Sequence, residues 1–262
     1  MKITKELLKE KGACADGYRD FLKEYPVDKY TDGVEYQELL DCCAEKNFSY
    51  GSWLLGAFGK TDDVRKIEGD LIVEEGIIFA GQLEVKGCIK AGGSIKAGDG
   101  IEAGLGIDAG LGIKAGGGIK AGDGIKAGCS IRAGFGIETG YGIEAGGGIE
   151  AGWGIEAGDG IKAGGSIKAV DGIEAGWGIE AGGGIEAGWG IKAGRGIEAG
   201  RGIKAGWIIR AGWIIRAGDE FGIYAGLRFR VTNKTQRKII AKERPKNIMC
   251  GEFEEKSDSE GK

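Results

Sequence analysis

"GWGIEAGGGIEAGWGIKAGRG", residues 176–196, repeats itself every six residues, while one slot passes from Trp to Gly to Trp to Arg between constant neighbours. The unit extends far beyond this stretch. From Ile89 to Ile215 an isoleucine stands at every sixth position, giving 22 consecutive units of the form I-(K/E/R/D)-A-G-x-(G/S). The third position is Ala in all but one unit, Thr139, and the fourth is Gly in all but one, Val170. Self-similarity of this regularity decides the fold before any local propensity does.

One unit has a direct physical reading. Ile, a charged residue and Ala alternate inward, outward and inward as a short strand does, and G-x-G then turns the chain with two residues free to adopt positive φ. Each unit is one side of a coil. The number of sides per turn is testable with the charges, because residues stacked in a parallel β-coil lie only about 4.8 Å apart. When every third unit is stacked, 13 of 19 pairs carry opposite signs, against 12 of 20 when every second unit is stacked and 8 of 21 for consecutive units. Lys90, Asp108, Lys126, Glu144, Lys162, Glu180, Glu198 and Arg216 form one such column. Ser94, Ser130 and Ser166 follow one another at every sixth unit and share one corner. The expected fold is mainly β, a single-chain parallel β-helix (β-solenoid) of about 18 residues and three short strands per turn. The perfect repeat alone makes a triangular prism about 35 Å long.

Working outward, residues 1–62 read as a small N-terminal α-helical domain. Thr4 caps KELLKEK and Gly12 stops it, ACADGYRDFLKEYP breaks before Pro26, and VEYQELLDCCAEKN and SYGSWLLGAF supply two further amphipathic stretches. Its expected core is Tyr18, Phe21, Leu22, Leu39, Leu40, Trp53, Leu54 and Leu55. Residues 63–88 are a strand-rich lead-in, 89–222 the repeat, and 223–262 a basic C-terminal β cap, with turns at Asn233 and Pro245, followed by an acidic disordered tail. The open ends of a coil need covering. The helical module and lead-in are expected to cover the first end, and the bulkier WIIRAGWIIRAG with the cap the other.

These units resemble the hexapeptide-repeat β-helices, and EGDLIVEEGIIFAGQLEVKGCIKAG resembles the Gly-punctuated coils of bactofilin-type polymer-forming proteins, over roughly residues 66–230. The bactofilin resemblance implies a cytoplasmic filament scaffold. Hexapeptide acyltransferases place a small residue four positions after the aliphatic one. Here Ala sits two after, and the later slot holds Trp, Asp or Arg.

Composition narrows the chemistry. With 56 glycines and two prolines in 262 residues, neither collagen nor a proline-rich linker fits. The 36 basic and 40 acidic residues produce no global field directed at nucleic acid or an anionic membrane. The absence of histidine excludes Ser-His-Asp and Cys-His pairs, His-based metal sites and the acyltransferase activity. Cys14, Cys42, Cys43, Cys88, Cys129 and Cys250 lack CxxC spacing and read as reduced structural or surface thiols. GAFGKT at 56–61 has Leu54 where a phosphate loop needs Gly, and the recurring G-x-G-I-x-A-G sets its third glycine one residue late for a dinucleotide fingerprint. Calcium-binding nonapeptides need a regular Asp, which is sporadic here. The start MKITKELLKEKG has no apolar leader, and no run of about 18 apolar residues occurs, so a cytoplasmic protein without membrane insertion is expected. No cofactor, metal or catalytic residue is indicated.

The variable slots carry what remains. Folded at three units per turn, the first corner holds Gly93, Leu111, Cys129, Gly147, Gly165, Gly183, Arg201 and Asp219. The second holds Asp99, Gly117, Phe135, Trp153, Asp171, Trp189 and Trp207, and the third Leu105, Asp123, Tyr141, Asp159, Trp177, Arg195 and Trp213. All seven aromatics avoid the first corner. They read either as a binding row for a protein, a base or a sugar, or as shields over the glycine-rich surface with Arg195 between Trp177 and Trp213 in a cation–π ladder. Arg228, Arg230, Lys234, Arg237, Lys238, Lys242, Arg244 and Lys246 form a basic cluster in the cap. It reads as a solvated edge that repels strand pairing or as a contact for nucleic acid or an acidic partner. The run Glu138, Glu144, Glu150 and Glu156 reads as axial salt-bridge stacking. The expected function is a non-enzymatic scaffold or protein-binding solenoid, by way of a protein partner or self-association. The alternative is a nucleic-acid- or carbohydrate-binding module, or an inhibitor that blocks such a site on a partner.

Overall fold

In the computed structural model, which describes residues 1–46, 49–226 and 237–256, the repeat forms a parallel three-sided β-solenoid. Each unit is one strand, from β7 (Ile89–Ala91) to β28 (Ile215–Arg216). Ile and Ala are buried and the residue between them faces solvent, as in Ile107–Asp108–Ala109. The period of three units is read from the register: Ile89 pairs with Ile107, Ile107 with Ile125, and Asp108 lies between Lys90 and Lys126. Stacked isoleucines, each almost fully buried, form one continuous core along the axis. Thr139, the one polar residue in the third position, is buried and donates its Oγ1 hydrogen to the Tyr141 carbonyl at 2.8 Å.

The three faces hold nine, ten and eleven strands. The first contains β4 (Leu71–Val73) and β7, the second β5 (Ile77–Phe79) and β8 (Ile95–Ala97), the third β3 (Val64–Ile67), β6 (Gln82–Val85) and β9 (Ile101–Ala103). The coil therefore outruns the perfect repeat at both ends and spans about 48 Å along the longest face. At the C-terminal end β29 (Ile223–Ala225), β30 (Lys238–Ala241), β31 (Ile248–Cys250) and β32 (Glu252–Glu255) stay parallel to the strands below, so the C-terminal strands prolong the coil. The expected turn at Asn233 and residues 257–262, the end of the expected acidic tail, lie outside the described residues.

The turns differ from expectation in one respect. Positive φ occurs at Gly12, Gly33, Gly59, Gly226 and Gly251, none of them within the repeat. Close approach between turns is what requires glycine there. A Cβ on Gly176, in the fourth position, would meet the Gly158 carbonyl oxygen at 1.8 Å, whereas one on Gly178, in the sixth, would lie 3.6 Å from the Gly196 oxygen. This contrast explains why the sixth position also admits Ser and Ile. It also explains the cost of the exception: the Val170 amide lies 3.4 Å from the Ala151 carbonyl, against 3.0 Å for Gly176 and Ala157. The corner serines use their space, since Ser130 and Ser166 accept hydrogen bonds from the Gly148 and Gly184 amides, each at 3.2 Å.

The helical module comprises α1 (Lys5–Glu10), α2 (Ala15–Glu24), α3 (Tyr36–Glu45) and α4 (Gly51–Phe58), with β1 (Lys2–Ile3) pairing antiparallel to β2 (Val34–Glu35). Thr4 caps α1 by accepting from the Leu7 amide at 3.2 Å. Phe21, Leu39, Leu40 and Leu54 are buried in its core, with Tyr18, Leu22, Trp53 and Leu55 packed around them. Ile78 and Ala80 join that core, which places the module on the outer face of β5. Gln37 closes the free edge of this strand: its amide donates to the Ile78 carbonyl at 2.8 Å and accepts from the Ala80 amide at 3.0 Å. The module thus covers the flank and edge of the second face rather than the whole first end, where Val64 and Ile72 remain exposed. Its docking depends on an outward apolar residue, Ile78, which occurs where the repeat would place a charge.

Candidate docking face

The second and third corners flank the third face, because the second follows the strands of the second face and the third follows those of the third. Every corner aromatic therefore borders one side of the prism. Backbone ladders confirm the stacking: the Trp207 amide donates to the Trp189 carbonyl, and Trp213 to Arg195, each at 2.8 Å.

The rings pair along these rows. Phe135 and Trp153 lie 4.9 Å apart and tilted, and Trp189 and Trp207 are stacked at 5.1 Å. On the third corner the Arg195 guanidinium lies 4.6 Å from the Trp177 ring centre, while Trp213 is covered by Lys242 at 5.6 Å. The expected ladder thus contains Arg195 over Trp177, and a cation from beyond the repeat serves Trp213. Much aromatic surface stays in solvent: Phe135, Tyr141, Trp153, Trp177, Trp189 and Trp213 are all exposed, and Trp207 is half-buried.

Charges on the faces complete the picture. On the first face they mostly alternate, with Lys162 and Glu180 at 3.6 Å and Glu198 and Arg216 at 3.6 Å. Like charges collect elsewhere. Lys96, Lys114 and Arg132 stack on the second face, and Glu138, Glu156 and Glu174 stack on the third. Burial, together with the Lys114 charge, lowers the Lys96 pKa where the helical module covers it. The acidic run along the sequence therefore divides. Glu144 stacks between Lys126 and Lys162, and Glu150 stacks between Arg132 and Lys168, whereas Glu138 and Glu156 are consecutive rungs of one acidic ladder. Lys120 reaches Glu138 at 3.4 Å and Lys192 reaches Glu174 at 2.5 Å, which leaves Glu156 as the rung without a cation among the described residues.

Shallow grooves run beside both aromatic corners, floored by sixth-position glycines. Along the second corner Gly136 and Gly154 form the floor, Phe135 and Trp153 one wall, and Glu138 and Glu156 the other. The third-corner groove lies against the first face, between Asp159 and Trp177 and the column from Lys90 to Glu180.

The basic residues of the C-terminal strands are not a free cluster. Arg237 pairs with Glu252 and Lys238 with Glu254, Lys242 covers Trp213, and Arg244 lies 5.7 Å from the Phe253 ring centre. Arg228, Arg230 and Lys234 lie outside the described residues, and Lys246 is exposed. The acidic partners Glu252 and Glu254 come later in the chain than the basic stretch and meet it only because β32 stacks on β30. Among the thiols, burial pushes Cys43 up to about 12 and raises Cys88, the direction that removes nucleophilic character. No helix among the described residues is long and apolar enough to cross a membrane. Comparison with known proteins finds no matching family model, no matching curated protein and no matching solved structure.

Proposed function

We propose that the chain is a non-enzymatic β-solenoid scaffold whose third face docks a protein partner. The observation that carries this reading is the joint placement of the exposed aromatic corners and the Glu138–Glu156–Glu174 ladder on one side of a rigid prism. Exposed aromatics are common anchors of interfaces, and Glu156 stands beside them without a cation among the described residues. The resemblance of the repeat to polymer-forming coils supports the scaffold half of the reading.

The partner surface is basic. An acidic ladder repels a phosphate backbone, which counts against nucleic acid as the ligand of this face. Inhibition is a special case of the same contact, since a basic surface occupied by the third face cannot hold nucleic acid as well. Affinity capture from the native host tests the proposal, using the wild type and a Trp153→Ala, Trp177→Ala, Trp213→Ala variant. All three rings are exposed, so the variant keeps the coil. At least one protein is expected to be retained by the wild type and lost from the variant; identical partner sets contradict the reading.

A further inference from the structure

The two aromatic corners differ in how their rings are satisfied. On the third, cations of the same chain cover the two exposed tryptophans: Arg195 sits over Trp177 and Lys242 over Trp213. On the second, Phe135 and Trp153 make a comparable platform, but the neighbouring rungs are Gly117 below and Asp171 above. Among the described residues no cation lies over either ring. The carboxylates of Glu138 and Glu156 follow these rings by three residues, across the glycine floor of the same groove.

From this contrast we propose that the second-corner groove binds an arginine-bearing extended segment of a basic protein, with a guanidinium over Phe135 and Trp153 and its hydrogen bonds directed to Glu138 and Glu156. This deepens the docking reading above and rests on it. Two features select the ligand. Glu156 is register-paired with Glu138 on one side and Glu174 on the other, on strands about 4.8 Å apart, so an incoming cation relieves like-charge repulsion along this column. A planar guanidinium stacks on a ring while its N–H groups fork to a carboxylate, a combination that a lysine ammonium cannot make. The arrangement is the one the chain completes for itself at Trp177, opened here to an external donor. The first corner, with small residues through most of its length, offers no such platform.

Calorimetric titration of the full-length chain with two capped octapeptides, one alternating Arg with Gly and the other Lys with Gly, tests the assignment. The arginine peptide is expected to bind about five- to tenfold more tightly. Trp153→Ala should bring the two peptides to similar affinity, Glu156→Gln should weaken both, and added salt should weaken both. In ¹H–¹⁵N spectra the Trp153 indole N–H should shift with the arginine peptide. Equal affinities in the wild type, an arginine preference that survives Trp153→Ala, or no binding of either peptide overturns the inference. Failure of the docking reading appears separately, as identical partner sets in the capture experiment.

Discussion

Gly176→Ala is expected to destabilise the coil by about 1–3 kcal/mol, the usual cost of forcing an extra carbon into a packed site. Gly178→Ala, two residues on, should be neutral or stabilising by a few tenths to about 1 kcal/mol. Neither glycine has positive φ, so both backbones accept alanine and the difference is steric. The Cβ of the first variant would collide with the Gly158 carbonyl oxygen, while that of the second would make an ordinary contact with Gly196. At the second site the lost flexibility of the unfolded chain remains as the main effect. Denaturant midpoints of the two variants measure this directly. If the variants behave alike, interturn contact is not what selects glycine in the fourth position.

A second large effect is expected from truncating one rung of the core. Ile155 is 1% exposed and stacks between Ile137 and Ile173. Ile155→Ala removes buried methyl groups and leaves a void that neighbouring turns cannot fill without moving, so a loss of about 2–5 kcal/mol is expected. Glu156→Gln, on the outer side of the same strand, should stay within about 0.5 kcal/mol of wild type. Because each turn touches only its neighbours, hydrogen exchange in Ile155→Ala should rise first in the turns holding Ile137 and Ile173. Uniform loss of protection along the whole coil would contradict nearest-neighbour stabilisation.

The repeat was legible because a single rule, Ile inward once per unit, is enough to specify a side of the coil, while charge signs favour three units per turn over two only by a small margin. The rule fails where the turns change length. Ile203 pairs with Ile223 and Ile209 with Ile239, both spacings longer than the repeat's own, so the strands from Ile223 onward continue the coil without continuing its period. The seat of the helical module was equally hard to read. It depends on Ile78 replacing an outward charge and on Gln37 filling the edge of a strand far along the chain, contacts with no sequence periodicity.

The candidate face was half legible. Placement of the aromatics on two corners follows from stacking every third unit, but the acidic ladder is hidden in a run that looks uniform along the chain. Only stacking separates Glu144 and Glu150, which gain cations on both sides, from Glu138 and Glu156, which lie next to each other. In the basic stretch at the C-terminal end, the carboxylate partners of Arg237 and Lys238 come from the next turn and cannot be read from neighbouring positions in the sequence. The variable slot between constant neighbours is therefore not one site. It belongs to different corners in successive units, and only two of those corners border the third face.

Cross-linking on the third face tests this geometry most directly. In a background with the native cysteines replaced, Glu138→Cys with Glu156→Cys places two thiols on register-paired residues, about 4.8 Å apart between neighbouring strands and within the span of a disulfide. Glu138→Cys with Glu150→Cys places them two units apart on different faces. Mild oxidation is predicted to close the first pair quantitatively and to leave the second reduced. Closure of the second pair, with the first left open, would contradict the three-sided coil and with it the acidic, aromatic-bordered face.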